Sequence, residues 1–454
     1  MKSEVLRRAD AARIFLLAAA WIMFFILVDP RGAGATALRL WLIAAAGLGA
    51  GLVYVLARRW RASVDAALLA ALTLSFCPVY ATLSANAGAD AAASVLALAG
   101  LFAFLRGRED RALSRLAACS ALVGVAGVFR PEYFLCAAAG AAVLTHEGRF
   151  GRRPAAALLG PVLVAVVGAL ILGRWRGASW GGVDSAEFGV FGGAEIAALC
   201  LAPLAVAAAL GMPRREMTRV EKGALASVGL AAAVFWFRAR GMDPLAGIVS
   251  RWGLGVLDLA GVDGKPAGWW ASSWFWYAAA AVATASSVQL ARRALETARA
   301  AYFGEIAVAA LFCGVPCAAA LAAGDARGLL AALPVAVAAA AAGLSGRAWR
   351  LAPAFGVALG LALVSSGGLE DYFAWSRARA AALDAVAAHG ARPQDIAAGR
   401  VVVSFTRVPP RPGLMALAAF PYRSILVPEG AAVYLFGQVD FVGLPPSRAV
   451  PPGR

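Results

Sequence analysis

Long apolar runs constrain this chain more than any other feature. Thirteen stretches are long enough, or nearly so, to cross about 30 Å of hydrocarbon as helices. They are 13–28, 37–57, 63–83, 90–105, 113–129, 132–146, 155–173, 194–212, 223–238, 268–291, 303–323, 328–345 and 351–368. A soluble chain carries about 25% charged residues, whereas this one carries 15% and is 61% hydrophobic. The pattern predicts an all-α polytopic membrane protein.

The basic residues divide unevenly between alternate connections of these runs. One set of connections holds 23 Lys and Arg, and the opposite set holds nine, or ten with Arg39. The positive-inside rule places the crowded set in the cytoplasm, so the N-terminus is inside and, after thirteen spans, the C-terminus is outside. The net charge of +16 is therefore a topology signal. We expect a protein of the inner (cytoplasmic) membrane whose surroundings are lipids, with no nucleic-acid partner.

The first apolar run has two interpretations. It resembles a cleavable signal peptide, with basic residues, an apolar core and small residues near Ala35. We favour an uncleaved anchor, because Asp29-Pro30-Arg31 interrupts the approach to the small residues.

The chain changes character after residue 369. Residues 1–369 form the predicted transmembrane domain, and 370–454 are predicted to form a small extracytoplasmic α/β domain. A helix is expected at 372–389, followed by short strands at 401–405, 425–427, 433–436 and 439–442. Within the membrane domain, an apolar stripe in the external loop 239–267 predicts a helix lying along the outer surface. The aromatic cluster that follows it indicates an interfacial anchor, with a sugar-stacking platform as the alternative.

Histidine and cysteine give little to catalysis in this sequence. The two histidines, His146 and His389, fall on opposite sides of the predicted membrane, which excludes a His-based metal site or a Ser/His/Asp triad. All six cysteines lie inside apolar runs, so no disulfide framework is expected. Carboxylates and arginines must carry any chemistry.

Several motifs, in order, resemble those of GT-C membrane glycosyltransferases, in the branch of protein O-mannosyltransferases and lipid A aminoarabinose transferases. They are the second run ending on Arg58-Arg59, the series Pro78, Ser84 and Asp90, the basic turn 106–111, the stretch LVGVAGVFRPEYF and Arg327 ahead of LLAALP. The resemblance covers most of 37–145 and 324–345. It implies transfer of a sugar from a polyprenyl-phosphate donor to a glycan, lipid or protein acceptor at the outer face. The family's Asp-Glu motif in the first external loop is reduced here to Asp29-Pro30 in a short loop, 29–36.

Glycosyl transfer from a lipid phosphate needs a carboxylate to accept a proton and cations to stabilise the departing phosphate. Asp29 and Asp90, at outer helix ends, are the candidate catalytic residues. Any metal they held would be a hard ion such as Mg²⁺ or Mn²⁺. Arg130, Glu132 and Arg327 are the candidate substrate-binding residues, because guanidinium groups pair bidentately with phosphate.

Each of these residues also has a plainer interpretation. Asp90 is a suitable helix cap, and the arginines can be interfacial side chains that reach water. At the level of the whole protein, a non-catalytic lipid-binding scaffold and a transporter are the alternatives. The shortened first loop favours the scaffold, and the scarcity of charge inside the runs disfavours the transporter.

Overall fold

The fold is described from a computed structural model. It covers residues 13, 37–77, 80–81, 84, 90–171, 201–211, 218–239, 249–250, 253–254, 273–298, 300–322, 328–344, 351–363, 365–366, 396–397 and 415–416. Twelve α-helices run through these residues: α1 Ala37–Arg59, α2 Val64–Ser75, α3 Asp90–Asp110, α4 Leu113–Phe129, α5 Leu135–His146, α6 Arg152–Ile171, α7 Ala202–Gly211, α8 Arg219–Ala239, α9 Ser273–Thr297, α10 Phe303–Ala322, α11 Leu329–Ala341 and α12 Leu351–Leu363. A 3₁₀ helix, Pro131–Phe134, joins α4 to α5.

The helical class predicted from the sequence is confirmed for the described part of the chain. Each of the twelve apolar runs from residue 37 onward corresponds to one of the twelve helices. Three of them, α3, α6 and α10, are long and apolar enough to cross a membrane by length and composition. The full count of thirteen spans and the side on which each end lies stay predictions.

Two helix starts follow local rules. Ser63 precedes α2, and its hydroxyl accepts a hydrogen bond from the backbone N–H of Ala66 at 3.2 Å, as is typical of a serine N-cap. Helix α3 begins at Asp90, which places a carboxylate at the positive end of the helix dipole.

Helix α11 lies at the centre of the bundle. It packs against α1, α2, α3, α7, α9 and α10, and most of its residues are buried. Its sequence is mostly alanine, valine and leucine, and such small side chains let helix backbones approach closely in lipid. Helix α6 is the opposite case, since Val164 and Ile171 are 74% and 79% exposed. We therefore expect one broad face of α6 to contact lipid.

Charged residues tie several helix ends together at one end of the bundle, which we call the basic end. Arg59, in the last turn of α1, pairs with Glu109 of α3 and at 2.8 Å with Glu305 of α10. Burial alone would lower the pKa of Arg59, but the two carboxylates outweigh it and raise that pKa. Arg108 of α3 bonds Glu147, just after α5, at 2.7 Å. Connections predicted to share one side of the membrane thus meet at one end of the fold.

The helix expected along the loop 239–267 is wrong where the structure describes that loop. Residues Val249–Ser250 (β1) pair antiparallel with Gly253–Leu254 (β2). The apolar spacing fits a helix, but Gly247, Gly253 and Gly255 lower the helix propensity of the segment. In the C-terminal segment, Ile396–Ala397 (β3) pairs parallel with Met415–Ala416 (β4). The strands and helix predicted there lie outside the described residues.

Candidate functional site

The chain around Arg130 is shaped by the proline that follows it. Pro131 disfavours helical geometry in the preceding residue, and Arg130 is extended, with φ −141° and ψ 102°. Helix α4 therefore ends at Phe129, and the 3₁₀ turn begins at once with Pro131 in its first position. This turn brings Glu132 back alongside the arginine two residues before it.

Arg130 joins two carboxylates. Its Nη1 lies 3.2 Å from Oδ1 of Asp90, the first residue of α3, and its Nε donates a hydrogen bond to Oε1 of Glu132 at 2.7 Å. The side chain of Arg130 is 15% exposed, that of Asp90 is 8% exposed and that of Glu132 is 9% exposed. Asp90, Arg130 and Glu132, hereafter the acid–arginine cluster, carry a formal charge of −1 in a nearly buried position.

The acid–arginine cluster lies far from the basic end. Helix α3 has Asp90 as its first residue and Glu109 in its last turn. At 1.5 Å per residue these two positions are about 28 Å apart, close to the thickness of the hydrocarbon layer. The cluster and the Arg59–Glu109 pair therefore occupy opposite ends of one membrane-length helix.

A second buried polar layer lies one turn along α3. Ser94 donates to the carbonyl oxygen of Leu330, at the start of α11, at 2.6 Å. Tyr133, the neighbour of Glu132, is 3% exposed and hydrogen-bonds with Ser94. The first turn of α3, the 3₁₀ turn and the start of α11 are thus locked together, which fixes the backbone that presents the cluster.

The structure brings together three of the five predicted site residues. Asp90 and Arg130 lie at one depth, at adjoining ends of α3 and α4, and are in contact at 3.2 Å. Asp29 and Arg327 lie outside the described residues. Leu330, three residues after Arg327 in sequence, contacts the layer below the cluster. Sequence reasoning missed Tyr133 and Ser94, and the only available signal was their proximity in sequence to Glu132 and Asp90.

The described residues do not assemble a metal site. Asp90 and Glu132 already share the cation Arg130, and within the described ranges no three His, Cys, Asp or Glu side chains converge to hold a metal ion. Asp29, the other predicted ligand, is outside those ranges. The predicted Mg²⁺ or Mn²⁺ therefore stays a prediction.

Comparison with known proteins supports the resemblance over part of the chain. Residues 14–172 match the family of dolichyl-phosphate-mannose-protein mannosyltransferases. This stretch includes α1 to α6 and the whole acid–arginine cluster. No curated protein and no solved structure matches the chain significantly. The family match indicates a membrane glycosyltransferase of GT-C type, and it does not separate the O-mannosyltransferase branch from the aminoarabinose transferases.

Proposed function

We propose that the protein transfers a sugar from a polyprenyl-phosphate donor to an acceptor at the outer face of the cytoplasmic membrane. The observation that carries the proposal is the acid–arginine cluster, because it lies inside the region that matches the mannosyltransferase family and opposite the basic end. If the basic end faces the cytoplasm, the cluster lies at the outer surface, where a lipid-linked donor exposes its headgroup.

The reaction exchanges one bond to the anomeric carbon for another. The acceptor oxygen bonds to that carbon, the bond from carbon to the phosphate oxygen breaks, and polyprenyl phosphate leaves with the bonding electrons. The acceptor proton goes to a carboxylate, for which Asp90 is our candidate, with Asp29 as the alternative. The departing phosphate gains one negative charge, so a cation beside it stabilises the transition state.

The cluster couples these two charge changes. In the resting state Arg130 is paired with Asp90 and Glu132. When Asp90 accepts the proton, its attraction for the guanidinium falls, and Arg130 becomes available to the phosphate as the charge of the phosphate grows. Arg130 thus first orients the base and then binds the leaving group, while Glu132 holds the guanidinium through Nε. Arg327 is our candidate for a second phosphate contact.

The test is sugar release from a defined donor by the purified full chain. We would use radiolabelled polyprenyl-phosphate mannose, and then polyprenyl-phosphate aminoarabinose, with a membrane extract as acceptor. Asp90→Asn keeps a capping side chain but removes the base, so we expect the rate to fall at least about 100-fold. Arg130→Lys keeps the charge and loses the planar fork, which weakens donor binding.

The control lies at the other end of the same helix. Asp110 is half-exposed and pairs with Arg115, so Asp110→Asn should transfer sugar at the wild-type rate. Wild-type activity in Asp90→Asn would exclude a catalytic role for Asp90. No donor binding by the wild-type protein would overturn the proposed substrate class.

A lipid-binding scaffold without activity is the second candidate. It is favoured by the pairing within the cluster, in which both acids share one arginine. A scaffold would bind the donor without releasing the sugar. Donor binding that survives in Asp90→Asn, together with no release by the wild type, would identify it.

A further inference from the structure

Buried polar atoms without hydrogen-bond partners collect at the basic end. Among the described residues, eight side chains carry such atoms, and all but Thr73 lie on turns of the basic end or in the C-terminal third of α9: Arg58, Trp60, Glu147, Gln289, Arg292, Arg293 and Thr297. Two of these atoms, Oε2 of Glu147 and Nε of Arg292, still have ion-pair contacts at 3.5 Å, with Arg149 and Glu296. Buried polar groups are nearly always paired in native proteins. This part of the fold therefore calls for a partner that the described side chains do not supply.

Arg293 is the residue of this group with the most unpaired buried atoms. It is only 8% exposed, and its Nη1 lies 3.6 Å from Glu296, which also pairs with Arg292. Its Nε and Nη2 are both buried and have no partner. In a guanidinium, the N–H bonds of Nε and Nη2 point the same way and form one edge of the planar fork. That edge binds the two oxygens of a carboxylate or phosphate.

Two turns lie beside this edge of Arg293, one at Gly343 and one at Tyr302. Gly343 has φ +66°, and a Cβ placed on it would lie 3.2 Å from Nη2 of Arg293 and 2.2 Å from the hydroxyl of Tyr302. The N–H of Gly343 donates to the carbonyl oxygen of Trp60 at 3.0 Å, and the indole N–H of Trp60 is itself buried without a partner. A glycine with positive φ thus leaves room in which Arg293 and Tyr302 meet.

The charge balance favours an anion here. Arg292, Arg293 and Glu296 together carry one excess positive charge. Burial lowers the pKa of Arg293, against the opposing effects of Tyr302 and Glu296. A buried cation gains from an anion that completes its hydrogen bonds, more than from a neutral partner.

We propose that the Nε and Nη2 edge of Arg293, with the hydroxyl of Tyr302, binds a phosphate group at the basic end of the bundle. The phosphate belongs either to the headgroup of an anionic phospholipid or to a small soluble phosphate. Because the edge is buried, the phosphate enters as the partly buried Tyr302 shifts, and the hydroxyl of Tyr302 then donates to the bound phosphate. This site is independent of the acid–arginine cluster.

The experiment measures thermal unfolding of the full chain in nanodiscs at constant ionic strength. One arm compares phosphatidylcholine discs with discs that also contain phosphatidylglycerol. The other arm titrates inorganic phosphate into phosphatidylcholine discs. We expect the unfolding midpoint to rise in one arm: the first identifies a lipid headgroup, and the second a soluble phosphate.

The matched variants are Arg293→Lys and Arg115→Lys. Both keep the charge at the basic end, but Arg115 is 47% exposed and pairs with Asp110. Losing one charge-assisted hydrogen bond weakens binding about tenfold, so Arg293→Lys should need about tenfold more ligand for the same midpoint, while Arg115→Lys matches the wild type. If Arg293→Lys does not fold, Tyr302→Phe should show the weaker binding. No rise in either arm, or an equal rise in wild type and variants, overturns the proposal.

Discussion

Replacing Arg130 by glutamine leaves Asp90 and Glu132 as two buried carboxylates without their shared cation. The two acids are 8% and 9% exposed, so water compensates them poorly. Removing one partner of a buried ion pair costs about 3–5 kcal/mol, and we expect Arg130→Gln to lower the free energy of unfolding by about that amount. Asp90→Asn acts differently, because it removes the excess negative charge and keeps an oxygen that accepts from Arg130. We expect it to change stability by less than about 1 kcal/mol.

Stability is measured by unfolding the purified variants in mixed micelles of increasing SDS content, with circular dichroism as the readout. The double variant Asp90→Asn/Arg130→Gln should recover about 2 kcal/mol of the loss, because it removes the shared cation from one carboxylate instead of two. Arg115→Gln is the control, since its exposed pair with Asp110 should contribute no more than about 1 kcal/mol.

Arg130→Gln should lower the free energy of unfolding much more than Asp90→Asn does, and this difference is the decisive test. An Arg130→Gln protein as stable as the wild type would show that the acids are protonated or hydrated, and the charge described for the cluster would be wrong. Equal destabilisation by Asp90→Asn and Arg130→Gln would show that the contact, and not the net charge, sets the stability.

Three further outcomes follow. Gly127→Ala places a Cβ 2.4 Å from a ring carbon of Phe134, so the 3₁₀ turn must shift. We expect the free energy of unfolding in SDS to fall by about 1–3 kcal/mol and sugar transfer to weaken. Val125 is half-exposed, so Val125→Ala should behave as wild type in both assays. Chelation by EDTA should leave transfer unchanged, because Arg130 already neutralises Asp90, and a loss restored by Mg²⁺ or Mn²⁺ would return the metal to the site. A phosphatase fused after residue 454 should be active outside the cytoplasm, and an inactive fusion together with a fluorescent cytoplasmic reporter would mean that the span count is wrong by one.

The sequence predicts the depth of a residue in the membrane better than the direction in which its side chain points. Asp90 begins α3 and Arg130 follows the end of α4, so the hydropathy pattern places both residues at one depth on neighbouring helices. The pairing of Arg59 with Glu305, 246 residues away, does not follow from that pattern, because hydropathy does not tell which way a side chain points around the helix axis. The sequence suggests Glu132 as a substrate-binding residue. Its hydrogen bond with Arg130 depends on a 3₁₀ turn, which hydrophobic periodicity does not indicate.

The burial of Arg293 could not be predicted from the sequence for a related reason. In the sequence it is one more basic residue after an apolar run, indistinguishable from Arg292. Its burial arises only when α9 packs beside the turn at Gly343, which comes 50 residues later. The helix expected along the loop 239–267 is replaced by paired strands at 249–250 and 253–254, where nearby glycines lower the helix propensity that the apolar spacing alone suggests.

Helix α3 is held by an ion pair at each end, Asp90 with Arg130 and Glu109 with Arg59. An α-helix hardly stretches, so the gap of about 28 Å between these pairs is set by covalent geometry. When the surrounding bilayer is thicker or thinner than this gap, α3 cannot lengthen or shorten to match it. Hydrophobic mismatch must then be absorbed by lipid tails or by tilting of the helices as a packed group, because even α6 is packed on α4, where the N–H of Val162 donates to the hydroxyl of Ser120. The fold thus keeps the distance between the two ion pairs independent of bilayer thickness.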